Sequence, residues 1–228
     1  MARTTAEPKL VVKALTPATW SDFEKLFTAR SGPKYCWCMA WRVTAEERQH
    51  NDPPARKKAL SRRVHAGTPV GLLGYVAGEP VAWCSLAPRN TLVRLVTDHS
   101  PDTGVWSITC FFIQREHRKQ GLTRRMLTAA ISYARKRGAK VVEGTPVTAD
   151  SPSYRHMGFV PLFAEAGFAE VGREGSRRHV MRRVLRGGQA KPAETKTTRP
   201  RPQAAKRRSA GGQPPVLRSR RSAAASSH

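Results

Sequence analysis

The chain has 228 residues, with 41 Lys and Arg against 16 Asp and Glu, a net charge of +25 and four cysteines. That length holds one α/β domain and a tail. No apolar run approaches the roughly 18 residues a membrane span needs, and the N-terminus is too polar for a secretory signal, so a cytoplasmic protein with reduced thiols and no membrane partner is expected.

Residues 1–8 form a polar arm, and Lys9 to Leu15 has the composition of a first strand. Thr16-Pro17 supplies an N-cap with proline at the first helical position, and Trp20, Phe23, Leu26 and Phe27 follow at helical spacing. Tyr35, Trp37 and Trp41 cluster next, as pocket wall or as core. Cys36-x-Cys38 has the form of half a metal site. No second pair completes it, so no metal is expected, and these thiols line a pocket or simply pack. Thr44-Ala45-Glu46-Glu47 is a capping box, and Asp52-Pro53 caps a helix to about Ala66 that turns Leu60 and Val64 inward.

Two apolar runs between Gly71 and Cys84 flank Ala77-Gly78-Glu79-Pro80, which predicts a hairpin. Leu92 to Val96 is expected to add a short strand, and Asp98 to Thr103 a polar loop. Val105 to Ile113 is apolar on both faces and predicts a central strand covered on both sides. A basic turn and Gly121 follow, then a helix with Leu122, Met126, Ala130, Tyr133 and Ala134 on one face. It stops at Gly138, behind Arg135, Lys136 and Arg137, where the helix dipole favours cations. Ala139 to Gly144 completes a strand–helix–strand unit. Ala149 to Ser153 is a loop, and Phe168 to Val171 with His179 to Val184 predicts a final hairpin. From Gly187 the composition turns to Pro, Ala, Ser, Lys, Arg and Gly, too poor in large apolar residues to offset chain entropy. The expected division is an arm (1–8), one domain (9–186) and a disordered basic tail (187–228).

The turn before the second long helix carries the chemistry. Backbone N–H groups at a helix start lack partners, and the dipole there favours an anion. Gly121 lets the backbone approach phosphate without a Cβ in the way, and Arg118 and Lys119 add charge. A pyrophosphate cradle is the chemistry this pattern suits. A basic domain also steers in a polyanionic cofactor and permits weak, non-specific nucleic-acid binding through the tail.

Arg118-Lys119-Gln120-Gly121-Leu122-Thr123 resembles motif A of the GCN5-related N-acetyltransferases (GNAT), Arg/Gln-x-x-Gly-x-Gly/Ala, with Thr123 departing from the last position. Leu162-Phe163-Ala164-Glu165-Ala166-Gly167-Phe168 resembles the family's closing Leu-Tyr-x-x-x-Gly-Phe, with Phe163 in place of Tyr. Trp37 to Arg42 and Ala87-Pro88-Arg89 resemble a poorly characterised bacterial branch of the superfamily. The resemblance runs from about Leu10 to Leu185.

It implies a mixed α/β sheet of about six to seven strands flanked by about four helices. It also implies acetyl-CoA as cosubstrate and an amine acceptor, small molecule or protein, for a monomer or homodimer. The pyrophosphate would lie on residues 118–123, and the backbone of Phe111, Phe112 and Ile113 would face the pantetheine arm. The first two helices and their loops would wall the acceptor pocket. Phe163 has no proton to give, so the acid for the leaving thiolate is open. Tyr154 precedes a similar string, Tyr154-Arg155-His156-Met157-Gly158-Phe159, and is either that acid or a packing tyrosine. Glu143, among valines, is either a base with a raised pKa or a structural carboxylate paired to an arginine. Two rival readings stand beside acetyl transfer: an acyl-CoA-binding protein of this fold without catalysis, and a nucleic-acid-associated protein.

Overall fold

The computed structural model describes residues 9–95 and 103–185. The expected tail, the arm and nearly all of the Asp98–Thr103 loop lie outside those residues.

One seven-stranded sheet organises the described chain, in the order β1-β2-β3-β4-β5-β7-β6. The strands are β1 (Leu10–Ala14), β2 (Leu72–Val76), β3 (Glu79–Pro88), β4 (Val105–Ile113), β5 (Val141–Gly144), β6 (Ala169–Glu174) and β7 (Arg178–Val184). Only β4 and β5 run parallel; every other neighbour is antiparallel. The predicted hairpins are β2–β3 and β6–β7, and the second inserts β7 between β5 and β6.

Four α-helices cover the two faces. They are α1 (Trp20–Thr28), α2 (Pro53–His65), α3 (Leu122–Lys136) and α4 (Val160–Glu165). Their starts follow the local chemistry. Thr16 and Thr19 cap a short 3-10 turn ahead of α1, and Asp52 accepts a bond from the Ala55 N–H at 2.8 Å at the start of α2. Thr44 and Glu47 exchange the two capping-box bonds, at 3.1 and 3.3 Å, but open only a 3-10 turn, Glu46–Gln49.

Residues at alternate positions of each strand face opposite helical layers. Trp106, Ile108, Phe111 and Ile113 of β4 pack with Leu122, Met126, Leu127 and Ala130 of α3 and Phe163 of α4. On the other face Phe23, Leu26, Phe27, Leu60 and Val64 enclose Leu73, Tyr75 and Trp83, with Cys110 and Phe112 against them. Trp37 belongs to this core, whereas Tyr35 is exposed.

The strand expected over Leu92–Val96 is not formed in its described part. A 3-10 turn, Arg89–Thr91, leads into a second turn closed by Leu95 N–H to Leu92 O. Leu92 and Leu95 instead cover Ala87 beside Trp41. Their apolar spacing serves a cap over the end of β3 rather than a strand.

Candidate active site

β4 and β5 pair only from Val105↔Val141 to Ile108↔Gly144. Beyond that point β4 continues alone to Ile113, while the chain after Gly144 turns away to a single parallel bridge, Val147↔Phe159. A wedge therefore opens beside Thr109–Ile113. At its apex β4 carries a bulge. Ser85 pairs with Cys110 and Leu86 with Ile108, which leaves Thr109 as the extra residue. A 3-10 turn, Arg155–Met157, packs against β4 across the wedge.

The basic turn follows the open end of β4. Arg118 folds back, and its Nε–H donates to the Ile113 carbonyl at 3.0 Å, tying the turn to the strand. Gln120 donates to the Glu116 carbonyl at 3.0 Å. Lys119 and Gly121 both take left-handed backbone, at φ 61 and 69. Gly121 is the N-cap of α3 and has no side chain to fill the helix start. A Cβ built there would meet no protein atom within 4 Å. The first N–H groups of a fifteen-residue helix thus open onto free space with Arg118 and Lys119 exposed alongside. This fits a pyrophosphate. Thr123, half-buried in the first turn, leaves that space open.

The candidate catalytic groups sit apart. Glu143 is fully buried on β5. Arg182 on the adjacent strand holds Oε2 from Nε at 2.8 Å and from a terminal nitrogen at 2.7 Å. Arg89 lies 3.6 Å from the same oxygen, and Ser107 donates to Oε1 at 3.3 Å. This is the ion-paired alternative of the two. Tyr154 is 39% exposed in left-handed backbone at φ 59. Arg178 lies over its ring at 5.3 Å and over Trp41 at 5.1 Å.

Phe163, where the resemblance expects Tyr, is a core residue. Its ring meets Phe111 and Phe168 edge-on and lies where a Cβ on Gly144 or Gly158 would be. A cleft opens between the Glu46–Gln49 turn and α2, but none of its walls comes from β4 or α3. It is separate from the wedge.

A buried polar row on the α1–α2 face of the sheet was not legible from residue types alone. Arg42 is 1% exposed and bonds Ser85, which bonds Thr109 at the bulge at 2.8 Å. Each is a polar residue at an inward position of a strand or turn, a signal visible only once the register is known.

Residues 23–159 match the acetyltransferase (GNAT) family. The chain belongs to that family. Residues 118–123 lie within the matched span and lead into α3. No curated protein matches the chain. Among solved structures it is similar to a ribosomal-protein-alanine N-acetyltransferase from Brucella melitensis, at 18% identity and a TM-score of 0.49, over 77% of this chain and 99% of that one. A GCN5-related N-acetyltransferase from Kribbella flavida gives 19% identity and a TM-score of 0.48, over 77% and 98%. The PaiA N-acetyltransferase from Thermoplasma acidophilum, solved with coenzyme A, gives 10% identity and 0.46, over 78% and 99%.

Proposed function

We propose that this GNAT protein transfers an acetyl group from acetyl-CoA to an amine. One observation carries the reading. The uncapped, glycine-started N-terminus of α3 follows directly from the half of β4 that β5 leaves unpaired. Acetyl-CoA supplies an acetyl group activated as a thioester.

The N–H groups at the start of α3 would hold the pyrophosphate, with Arg118, Lys119, Gln120, Gly121, Leu122 and Thr123 around it. The free backbone of Phe111, Phe112 and Ile113 would hold the pantetheine arm by strand-like bonds. An amine must arrive neutral to attack, and the departing thiolate must gain a proton. Tyr154 is the proton-donor candidate, because its half-exposed phenol stands on the segment that faces β4. Glu143 is better suited to holding Arg182 and Arg89 in place, since its oxygens are already engaged by cations.

Isothermal titration with acetyl-CoA tests the cradle, and free-thiol release across a panel of amines tests transfer. Binding without release for any amine would support the non-catalytic rival, which the burial of Phe163 and the engagement of Glu143 favour. Tyr154→Phe should lower kcat with little change in acetyl-CoA affinity. An unchanged kcat excludes it as the acid.

A further inference from the structure

The buried polar row on the α1–α2 face ends at the bulge in β4, and none of the roles above uses it. Arg42 and Thr109 are 1% exposed and Ser85 is fully buried. The Arg42 guanidinium donates to the Ser85 hydroxyl at 3.0 Å, and the Ser85 and Thr109 hydroxyls bond at 2.8 Å. It also donates to the Cys38 carbonyl at 2.7 Å and the Val70 carbonyl at 2.8 Å. Arg42 thereby ties the turn after α1, the approach to β2, and β3 to one point on β4.

Filling this space with an arginine is costly. Its three acceptors are neutral, its Nε finds no acceptor, and no carboxylate pairs with it among the described residues. A buried charge without a counter-charge is destabilising. The turn that presents the Cys38 carbonyl is strained as well, with Trp37 and Cys38 in left-handed backbone at φ 45 and 55. What arginine supplies and an apolar residue of like volume does not is direction. A guanidinium only donates, so the Ser85 oxygen must accept from Arg42, and the hydroxyl is held in place against Thr109.

The bulge shows what that direction serves. Ile108, Phe111 and Ile113 pack on the α3 side, whereas Cys110 and Phe112 pack on the α1–α2 side, where Thr109 bonds Ser85. Strict alternation allows one residue, not two, between neighbours on the same face. The apolar pattern therefore demands an extra residue between Ile108 and Phe111, but it does not choose between Thr109 and Cys110. The hydroxyl chooses: Thr109 is held out by Ser85, and Cys110 takes the ladder position opposite Ser85. A bulge one residue later would put Thr109 in the ladder and Cys110 outside it, and would re-aim the backbone of both.

Pairing of β4 with β5 stops at Ile108, directly before this point. With the pyrophosphate beyond Ile113, the pantetheine arm runs back along the unpaired strand. Its thioester end then arrives at the bulge, four residues or about 13 Å from Ile113.

We propose that Arg42, Ser85 and Thr109 are positioning residues: their hydrogen bonds lock the bulge at Thr109, and the locked backbone aligns the thioester end of acetyl-CoA. The alignment rests on the transferase reading above; the lock does not. The row's hydrogen bonds do not reach residues 118–123, so the grip on the body of CoA is independent of it.

The experiment compares the full-length parent with Thr109→Val, which keeps the shape and loses the hydroxyl, and with Thr109→Ser, which restores it. Ser85→Ala removes the same bond from β3 should Thr109→Val not fold. Amide hydrogen exchange over residues 109–112, without ligand, reads the lock. Titration calorimetry with CoA and with acetyl-CoA reads the alignment. In Thr109→Val the Cys110 amide should exchange about tenfold faster or more. Its affinity for CoA should stay within about twofold of the parent, while that for acetyl-CoA falls about fivefold. With any amine that is turned over, kcat should fall about tenfold or more. Thr109→Ser should return each value toward the parent. Parental exchange in Thr109→Val overturns the proposal, as does an equal change in CoA and acetyl-CoA affinity, the mark of a merely structural role, or a failure of Thr109→Ser to rescue. A parent that binds neither CoA nor acetyl-CoA refutes the transferase reading and the alignment with it, and the exchange data still decide the lock.

Discussion

Gly121 holds left-handed backbone at φ 69 and faces open space, so a substitution there acts through strain and through occupation of the cradle, not through a clash within the protein. A β-branched residue at such a φ costs roughly 1–3 kcal/mol. Gly121→Val should therefore weaken acetyl-CoA binding about tenfold or more, by titration calorimetry, because a tenfold change corresponds to about 1.4 kcal/mol. A Gly121→Val protein that folds and binds like the parent would mean the cradle lies elsewhere. Glu143 makes the complementary case. Glu143→Gln leaves Arg182 and Arg89 around a neutral amide. Breaking a buried pair on one side costs roughly 3–5 kcal/mol, and a domain this size loses about 2–4 °C per kcal/mol. Melting should fall by roughly 6 °C or more, and less when Arg182→Met is added. A variant with the parental melting temperature but no turnover would restore Glu143 as the base.

At the scale of elements, the wedge is kept open by packing against it. Gly144 ends β5 where β4 departs, and the Phe163 ring occupies the place its Cβ would take. Neither β5 nor α4 can shift freely, since Phe163 is also locked between Phe111 and Phe168. Gly144→Ala should cost about 1–3 kcal/mol by overpacking, read as a lower denaturant midpoint with unchanged slope. It should also weaken acetyl-CoA binding, because the displaced ring presses on Phe111 of β4. This packing explains the Phe at the position of the family's Tyr. Both Gly144 and Phe163 were legible as strand end and motif residue, but their contact was not, because they lie on separate elements and meet only through the register of β4 and β5.

For the whole molecule, two opposite titrations bound stability. Cys38 has a folded-state value below its ordinary 9.0, so from pH 9 down to about 6 the unfolded chain takes up a proton that the folded chain refuses, and stability falls. His156, whose burial lowers its value from 6.5, extends the decline below that pH with the same sign. Cys36, Cys84 and Cys110 are raised, so above pH 9 the unfolded chain releases protons the folded chain keeps, and stability falls again. Melting under anaerobic conditions should therefore peak near pH 8 to 9, and Cys38→Ser should flatten the acidic side. Charge acts differently. Residues 187–228 contribute +9 of the +25. A chain ending at Arg186 should keep its melting temperature and acetyl-CoA affinity while its DNA binding weakens and its salt dependence flattens, since counterion release follows the number of phosphates neutralised. A markedly lower melting temperature would show Val216 and Leu217 contributing to the core.

Local chemistry alone determined the elements that carry their own signals. The Val105–Ile113 strand, the Gly121 turn, the α3 face of Leu122, Met126 and Ala130, and the Asp52 cap all follow from residue type and spacing, because period, capping and left-handed glycine act within a few residues. The tertiary structure decided what depends on residues far apart in the chain. Leu92 and Leu95 are a cap because Ala87 needs covering, and Glu143 is clamped because β7 inserts beside β5 and brings Arg182. The Cys38 sulfur meets the Trp83 indole because a strained turn is pressed onto the sheet. An isolated cysteine has the same letter whether it packs or ionises; its charge is set by the dipoles and cations that folding brings around it.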